Sequence, residues 1–206
     1  MIIGCRHKQD VGSSGWRRIR RASALLIVIS SLVSTPCANT FAQTEESAEY
    51  PVKLAFLYNF TKFVEWPAAS FHNEGAPLAI CIVGHDPFSA DLETELRARK
   101  VGDHPVAVKI LKTTDNLTGC HIVFVPITEK DRADKIVKDL QGSSALTVGE
   151  CDGFAAMGGV INLVIEGNKL HFEVNPLAAE RAGLKISSKM LTMAKIVKEP
   201  GHGGKS

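Results

Sequence analysis

The chain has 206 residues, the length of one globular domain with room for a leader or a tail. Apolar residues make up 45% and charged residues 22%, which excludes a disordered chain, a collagen-like chain and a multi-span membrane protein. Residues 1–42 hold six of the 24 basic and one of the 22 acidic residues. The remaining 18 basic and 21 acidic residues give a formal charge of −3, which argues against nucleic-acid binding.

Residues 1–42 have the order of a secretory signal peptide. Arginines at positions 17, 18, 20 and 21 precede an apolar run at 22–33, and small residues lead to Ala42. At 1.5 Å per residue, a run of about 12 residues is too short for a hydrocarbon core of ~30 Å. We therefore predict cleavage after Ala42 and a periplasmic mature chain. An uncleaved anchor, a lipoprotein acylated at Cys37 and twin-arginine export are less favoured alternatives.

The first half of the mature chain contains two predicted helices and one strand. Leu54, Leu57 and Val64 recur at helical spacing before Pro67, which ends a helix. An apolar run of strand length is followed by Asp86, a suitable N-cap. The predicted elements are a flexible lead-in at 43–48, a helix at 49–66, a strand at 78–83 and a helix after Asp86.

The second half alternates strands with helices and contains one hairpin. Gly167 and Asn168 form a two-residue turn between alternating segments. The predicted strands are 105–111, 120–125, 145–148, 160–165 and 169–175. The predicted helices begin at Thr128, at Pro176 and at Ser187 or Ser188, and the last of them extends to Val197.

Strands that alternate with helices predict a largely parallel sheet covered on both faces. The fold class is therefore α/β, a single three-layer α/β/α domain with a mostly parallel sheet and an antiparallel hairpin. We place this domain at residues 43–198 and a flexible tail at 199–206. The sequence shows no internal repeat and no second domain.

The mature sequence lacks the residue patterns of a catalytic or metal site. The histidines have no zinc spacing, and no serine lies in a nucleophile elbow. We therefore expect a protein that is not an enzyme and has no cofactor. Cys81 and Cys120 fall on strands expected to be neighbours, where they form either a disulfide or two buried thiols. Cys151 remains as an odd thiol, with a redox or intermolecular role as one interpretation.

Three segments of the chain together resemble the YfiR family of periplasmic proteins. The first is YPVKLAFLYNFTKFVEWP at residues 50–67. The second is LAICIVGHDPF at 78–88, followed by CHIVF at 120–124. The third is FEVNPLAAERAGLKISSKMLTMA at 172–194. The resemblance covers nearly all of the mature chain.

This resemblance implies a repressor that binds the periplasmic sensor domain of a membrane-anchored diguanylate cyclase. Such a repressor lowers cyclic-di-GMP and biofilm formation. The resemblance also implies sequestration by an OmpA-like outer-membrane lipoprotein, a homodimer, and a disulfide between Cys81 and Cys120. A second cysteine pair of the family, near Cys151, is incomplete here.

The third segment supplies the candidate partner contacts Glu180, Leu184, Lys185 and Ile186. An exposed isoleucine beside charged residues suits an interface centre with a polar rim, although ordinary helix packing explains the same pattern. Two other functions stay open. One is a small-ligand module with a cleft at the carboxyl ends of the strands, and the other is a thiol-dependent enzyme using Cys151.

Overall fold

A computed structural model describes residues 42–88, 90–112 and 117–200 of the chain. Residues 1–41 of the predicted signal peptide, with Cys37 and the arginines on which its alternatives depend, lie outside the described residues. Residues 201–206 of the predicted tail lie outside them as well. Within the described residues, no helix is both long enough and apolar enough to cross a membrane.

The described residues form helices and strands in alternation. The α-helices are α1 (Ala42–Phe60), α2 (Ala90–Arg97), α3 (Ala133–Asp139), α4 (Pro176–Arg181) and α5 (Ser188–Met193). Short 3-10 helices lie at Ala68–Ser70 and Ile127–Arg132. The strands are β1 (Val64–Glu65), β2 (Leu78–Val83), β3 (Lys100–Val101), β4 (His104–Leu111), β5 (Ile122–Val125), β6 (Leu146–Gly149), β7 (Ile161–Glu166), β8 (Lys169–Val174), β9 (Lys185–Ile186) and β10 (Lys195–Ile196).

Eight strands form the main sheet in the order β10-β8-β7-β6-β5-β2-β4-β3. The pairs from β4 through β2, β5 and β6 to β7 are all parallel. β8 pairs antiparallel with β7 across the predicted Gly167–Asn168 turn, and β3 pairs antiparallel with β4. The predicted fold class, a mostly parallel sheet with an antiparallel hairpin, is confirmed.

Both faces of the sheet are buried, which gives three layers. On one face, Leu57 and Phe60 of α1 pack against strand residues such as Ile80. On the other face, Ile136 of α3 packs against alternate residues of β2 and β5. The central strands β2, β5 and β6 are buried along their whole length, as expected for strands covered on both sides.

An irregular loop, in place of a helix, covers the second face beside β7. Phe154 in this loop is fully buried, and its ring lies where side chains on Gly149 and Gly159 would otherwise stand. A methyl group at either glycine would overlap the ring. These two glycines therefore permit the close approach that seals the face without a helix.

The first and the last predicted helices have different bounds in the structure, and the helix predicted from Thr128 is a 3-10 helix up to Arg132. The first begins at Ala42 rather than residue 49, because residues 42–49 are rich in the helix formers Ala, Glu and Gln. It ends at Phe60 rather than Trp66, since Val64 pairs with β9. The last helix ends at Met193 rather than Val197, because Lys195 and Ile196 pair with β8.

The parallel strands define two opposite ends of the sheet. We call the end at which β2, β5, β6 and β7 begin the amino edge, and the end at which they finish the carboxyl edge. Tyr50 of α1 contacts Glu150, which follows β6 at the carboxyl edge, whereas Trp66 contacts His121, which precedes β5 at the amino edge. The α1 segment thus crosses one face from the carboxyl to the amino edge.

Candidate partner-binding surface

A two-stranded antiparallel ribbon at the amino edge carries the predicted partner contacts. In this ribbon Val64 of β1 pairs with Ile186 of β9, and Glu65 pairs with Lys185. The amide of Ser187 donates to the carbonyl of Phe63 at 2.8 Å and extends the pairing by one bond. This ribbon was not predictable from sequence periodicity, since each strand has only two residues.

Local sequence explains how α4 directs the chain into the ribbon. The Asn175 side chain caps α4 by accepting from the amide of Ala178 at 3.0 Å, and Pro176 starts the helix. Gly183 then adopts a φ of +70°, and the amide of Leu184 donates to the carbonyl of Ala179 at 2.9 Å. Helix α4 thus ends in a turn that requires glycine, and this turn directs the chain so that β9 pairs with β1.

The four candidate contacts do not all reach the surface. Glu180 and Lys185 are exposed, and Ile186 is half-buried beside them. Leu184 is buried in the core with 5% of its surface exposed, so its selection as a contact residue is corrected. The Leu184 side chain packs in the core and so stabilises the turn at Gly183. For the other three residues partner binding stays a prediction.

The exposed part of this region also includes residues that sequence reasoning did not select. Glu65 is exposed opposite Lys185, and Phe63 is half-buried with the Lys189 ammonium 5.8 Å from its ring centre. We use the name ribbon surface for the set Phe63, Glu65, Glu180, Lys185 and Ile186. One face of the ribbon combines the half-buried Phe63 ring with exposed groups of both charge signs, a composition suited to protein recognition, whereas Ile186 shares the other face with buried Val64.

A stack of aromatic and imidazole rings lies beneath the ribbon. The Phe71 ring lies between those of His104 and His121, with centroid distances of 4.0 Å and 4.4 Å. The Trp66 indole donates to the carbonyl of His121 at 3.0 Å. Because Trp66 directly follows β1, this bond ties the ribbon to the start of β5.

His121 is held in its neutral form by its surroundings. Its Nδ1 accepts from the amide of Ala79 at 3.1 Å, which places the ring proton on Nε2. Burial lowers the pKa of His121, and the neighbouring groups His104, Lys109 and His72 lower it further, against an opposing contribution from the Ser70 backbone.

The predicted disulfide between Cys81 and Cys120 is present in the structure. The two Cα atoms are 5.8 Å apart, and 39 residues separate the cysteines in sequence. Cys81 lies within β2, but its β5 register partner is Val123, and Cys120 lies two residues before β5. The disulfide therefore fastens the loop that carries His121 to the central strand.

Cys151, the odd cysteine, is a buried free thiol. It packs in the second-face core near Phe154, and burial raises the pKa of its thiol. A raised pKa disfavours the thiolate that nucleophilic or redox chemistry requires. Among the described residues, no group of three His, Cys, Asp or Glu side chains could hold a metal ion.

A buried ion pair that the sequence analysis did not foresee occupies the carboxyl edge. Lys53 of α1 forms an ion pair with Glu150, and their side chains are 5% and 2% exposed. Glu150 also accepts from the amide of Ile127 at 2.6 Å and from the Tyr50 hydroxyl at 3.2 Å. The position of Glu150 directly after a buried strand was the available signal in the sequence, but its partner Lys53 lies 97 residues earlier in the chain.

The cavities at the two edges differ in volume. A cavity of about 190 Å³ beside Lys53 and Glu150 lies at the carboxyl edge. Two larger ones lie at the amino edge: about 350 Å³ beside Arg181 and about 430 Å³ beside Cys120 and His121. The predicted cleft at the carboxyl ends of the strands is thus the smaller space.

Comparison with known proteins gives a family match over most of the chain. Residues 50–195 match the family described as YfiR/HmsC-like. Among solved structures, the chain is similar to an ABC domain in complex with L-Trp from Streptococcus pneumonia, with 14% identity, a TM-score of 0.45 and coverage of 58% of this chain and 55% of that one. It is also similar to a conserved domain protein from Vibrio cholerae O1 biovar El Tor, with 10% identity, a TM-score of 0.49 and coverage of 73% and 60%. The chain therefore spans little more than half the length of either structure.

Proposed function

Because the chain belongs to the YfiR/HmsC-like family, we propose that it is a periplasmic regulatory protein that represses a membrane-anchored diguanylate cyclase. It binds the periplasmic sensor domain of that cyclase and so lowers cyclic-di-GMP and biofilm formation. The observation that carries this proposal is the family match over residues 50–195. The OmpA-like lipoprotein as a competing partner and the homodimer belong to the same proposal.

The ribbon surface is the contact region that we propose for the cyclase. Phe63, two residues before Glu65 in the chain, lies on the same face of the ribbon as Glu65 and Lys185, so a partner can cover the half-buried Phe63 ring while its own charges meet Glu65 and Lys185. The ribbon is held by β-pairing, by the Trp66 bond and by buried Leu184. A surface supported in this way loses little conformational freedom on binding.

A regulatory role fits the chemistry of the described residues better than catalysis does. Cys151 is buried with a raised pKa, and Cys120 is committed to the disulfide. His121 is engaged through its Nδ1 with a backbone amide. The residues that the thiol-enzyme hypothesis would use are therefore occupied by structural roles.

The test is a deletion strain complemented with charge-reversal variants. Deletion raises cyclic-di-GMP, and the wild-type chain restores the low level. Lys185→Glu on the ribbon surface fails to restore it. Lys169→Glu makes the same change at an exposed position in the β7–β8 hairpin at the carboxyl edge and restores it fully.

Two outcomes would contradict the proposal. Unchanged cyclic-di-GMP in the deletion strain would remove the repressor function. Equal complementation by Lys185→Glu and Lys169→Glu, with both variants present in the periplasm at wild-type levels, would remove the ribbon surface as the contact region.

A further inference from the structure

A carboxylate from the chain's own C-terminal segment occupies a polar position in the cavity of about 350 Å³ at the amino edge. Glu199 forms a forked ion pair with Arg181, in which Nη1 donates to Oε2 at 3.1 Å and Nη2 donates to Oε1. The side-chain amide Nδ2 of Asn175 donates to Oε1 at 3.0 Å. Two of these hydrogen bonds come from a guanidinium, whose planar fork matches a carboxylate.

The groups that hold this carboxylate belong to the packed domain. Asn175 is fully buried, and its amide also donates to the carbonyl of Ala155 at 2.9 Å, which fixes its orientation. Gly158 has a φ of +106°, and a Cβ there would stand 3.6 Å from Oε1 of Glu199. The chain therefore passes close to the carboxylate at a residue without a side chain.

The rest of the cavity offers space for an apolar group. Val137, Leu140, Val160 and Ala178 line it beside Arg181. A volume of about 350 Å³ falls within the range of small-ligand sites, which combine apolar walls with a few convergent polar groups. The Glu199 carboxylate takes the place of the carboxylate of such a ligand. Its short side chain has no large apolar group to fill the rest of the cavity.

We propose that this cavity is a binding site for a small organic carboxylate with an apolar or aromatic body, and that Glu199 is its intramolecular competitor. The ligand's carboxylate replaces that of Glu199 on Arg181 and Asn175, and its body fills the apolar part of the cavity. Binding releases the segment that follows β10. β10 itself, formed by Lys195 and Ile196, pairs with β8 as the outermost strand of the sheet. The site goes beyond the repressor function and does not depend on it.

The experiment titrates the protein purified from the periplasm with benzoate by calorimetry. Glu199→Ala removes the competitor, so the apparent affinity for benzoate rises by about tenfold or more if Glu199 occupies the site for nine-tenths of the time. Glu173→Ala is the matched control. Glu173 is also an ion-paired carboxylate with a 15% exposed side chain, against 14% for Glu199, but it pairs with Lys195 away from the cavity.

Two further comparisons make the outcome decisive. Arg181→Met in the Glu199→Ala background abolishes benzoate binding, and the partly exposed position of Arg181 makes this change tolerable to the fold. Benzamide, which has the same body without the charge, binds at least tenfold more weakly than benzoate. No detectable binding to Glu199→Ala, equal affinities for Glu199→Ala and Glu173→Ala, or equal affinities for benzoate and benzamide would each overturn the proposal.

Discussion

The two edges of the sheet are built in different ways. At the carboxyl edge, α1 places Lys53 against Glu150, which directly follows β6. At the amino edge, the disulfide, the ring stack, the ribbon surface and two cavities lie near one another. Open parallel sheets usually bind ligands at the carboxyl edge. In this fold Lys53 of α1 and Glu150 take up part of that position, and the surface that we propose for recognition lies at the opposite edge.

We predict that the stability of the carboxyl edge depends strongly on the buried Lys53–Glu150 ion pair. Lys53→Met leaves the Glu150 carboxylate buried without its cation and lowers the free energy of unfolding by about 3–5 kcal/mol. Urea denaturation measures this loss. The control is Lys135→Met, which breaks the exposed Lys135–Asp139 pair and costs at most about 0.5 kcal/mol. Equal effects from the two changes would show that the Lys53–Glu150 pair is not what closes this edge.

We predict that the Cys81–Cys120 disulfide stabilises the amino edge. Replacing both Cys81 and Cys120 with alanine opens a loop of 39 residues and lowers the free energy of unfolding by about 3–4 kcal/mol in the chain-entropy model. Cys151→Ala is the control, since it removes a buried sulfur without opening a loop, and it lowers stability less. A double variant no less stable than Cys151→Ala would contradict the structural role of the bond.

A smaller effect at the amino edge is a pH dependence from His121. Its folded pKa lies below the unfolded value of about 6.5, so its contribution to stability is complete above that pH. As the pH falls below about 6.5, the unfolded chain takes up the proton first, and stability declines by at most about 1.4 kcal/mol per pH unit until the folded pKa is reached.

The measurement is the urea midpoint between pH 7.5 and pH 5. His121→Asn keeps an acceptor near the amide of Ala79 and flattens the decline, whereas His171→Asn at an exposed position of β8 leaves it unchanged. An identical decline in wild type and His121→Asn would assign the dependence to other groups.

Much of the fold follows from local sequence patterns. The apolar runs at residues 78–83 and 120–125 and the Gly167–Asn168 turn specify buried strands and a hairpin, and the structure contains them. The short pairs were not predictable, because two-residue strands such as β1 and β9 carry no periodicity. β9 reaches β1 through the turn at Gly183, which directs the chain back toward residue 64.

The site was less predictable than the fold, for a physical reason. Lys185 and Ile186 were selected from a sequence resemblance, but the selection of Leu184 failed because exposure depends on how the α4 turn packs. Lys53 with Glu150 and Arg181 with Glu199 join distant segments. Such pairs are set by tertiary packing, and one sequence gives only the residue types. Glu199, the first residue of the predicted tail at 199–206, forms an ion pair with Arg181.

The central claim is that the amino edge, rather than the carboxyl edge, meets the cyclase. Site-specific photo-crosslinking in cells tests it most directly, with benzoyl-phenylalanine placed at Lys185 on the ribbon surface or at Lys169 in the β7–β8 hairpin. We predict that the probe at position 185 captures an inner-membrane diguanylate cyclase and that the probe at position 169 does not. Capture from position 169 alone, or no cyclase captured from position 185, would contradict the account.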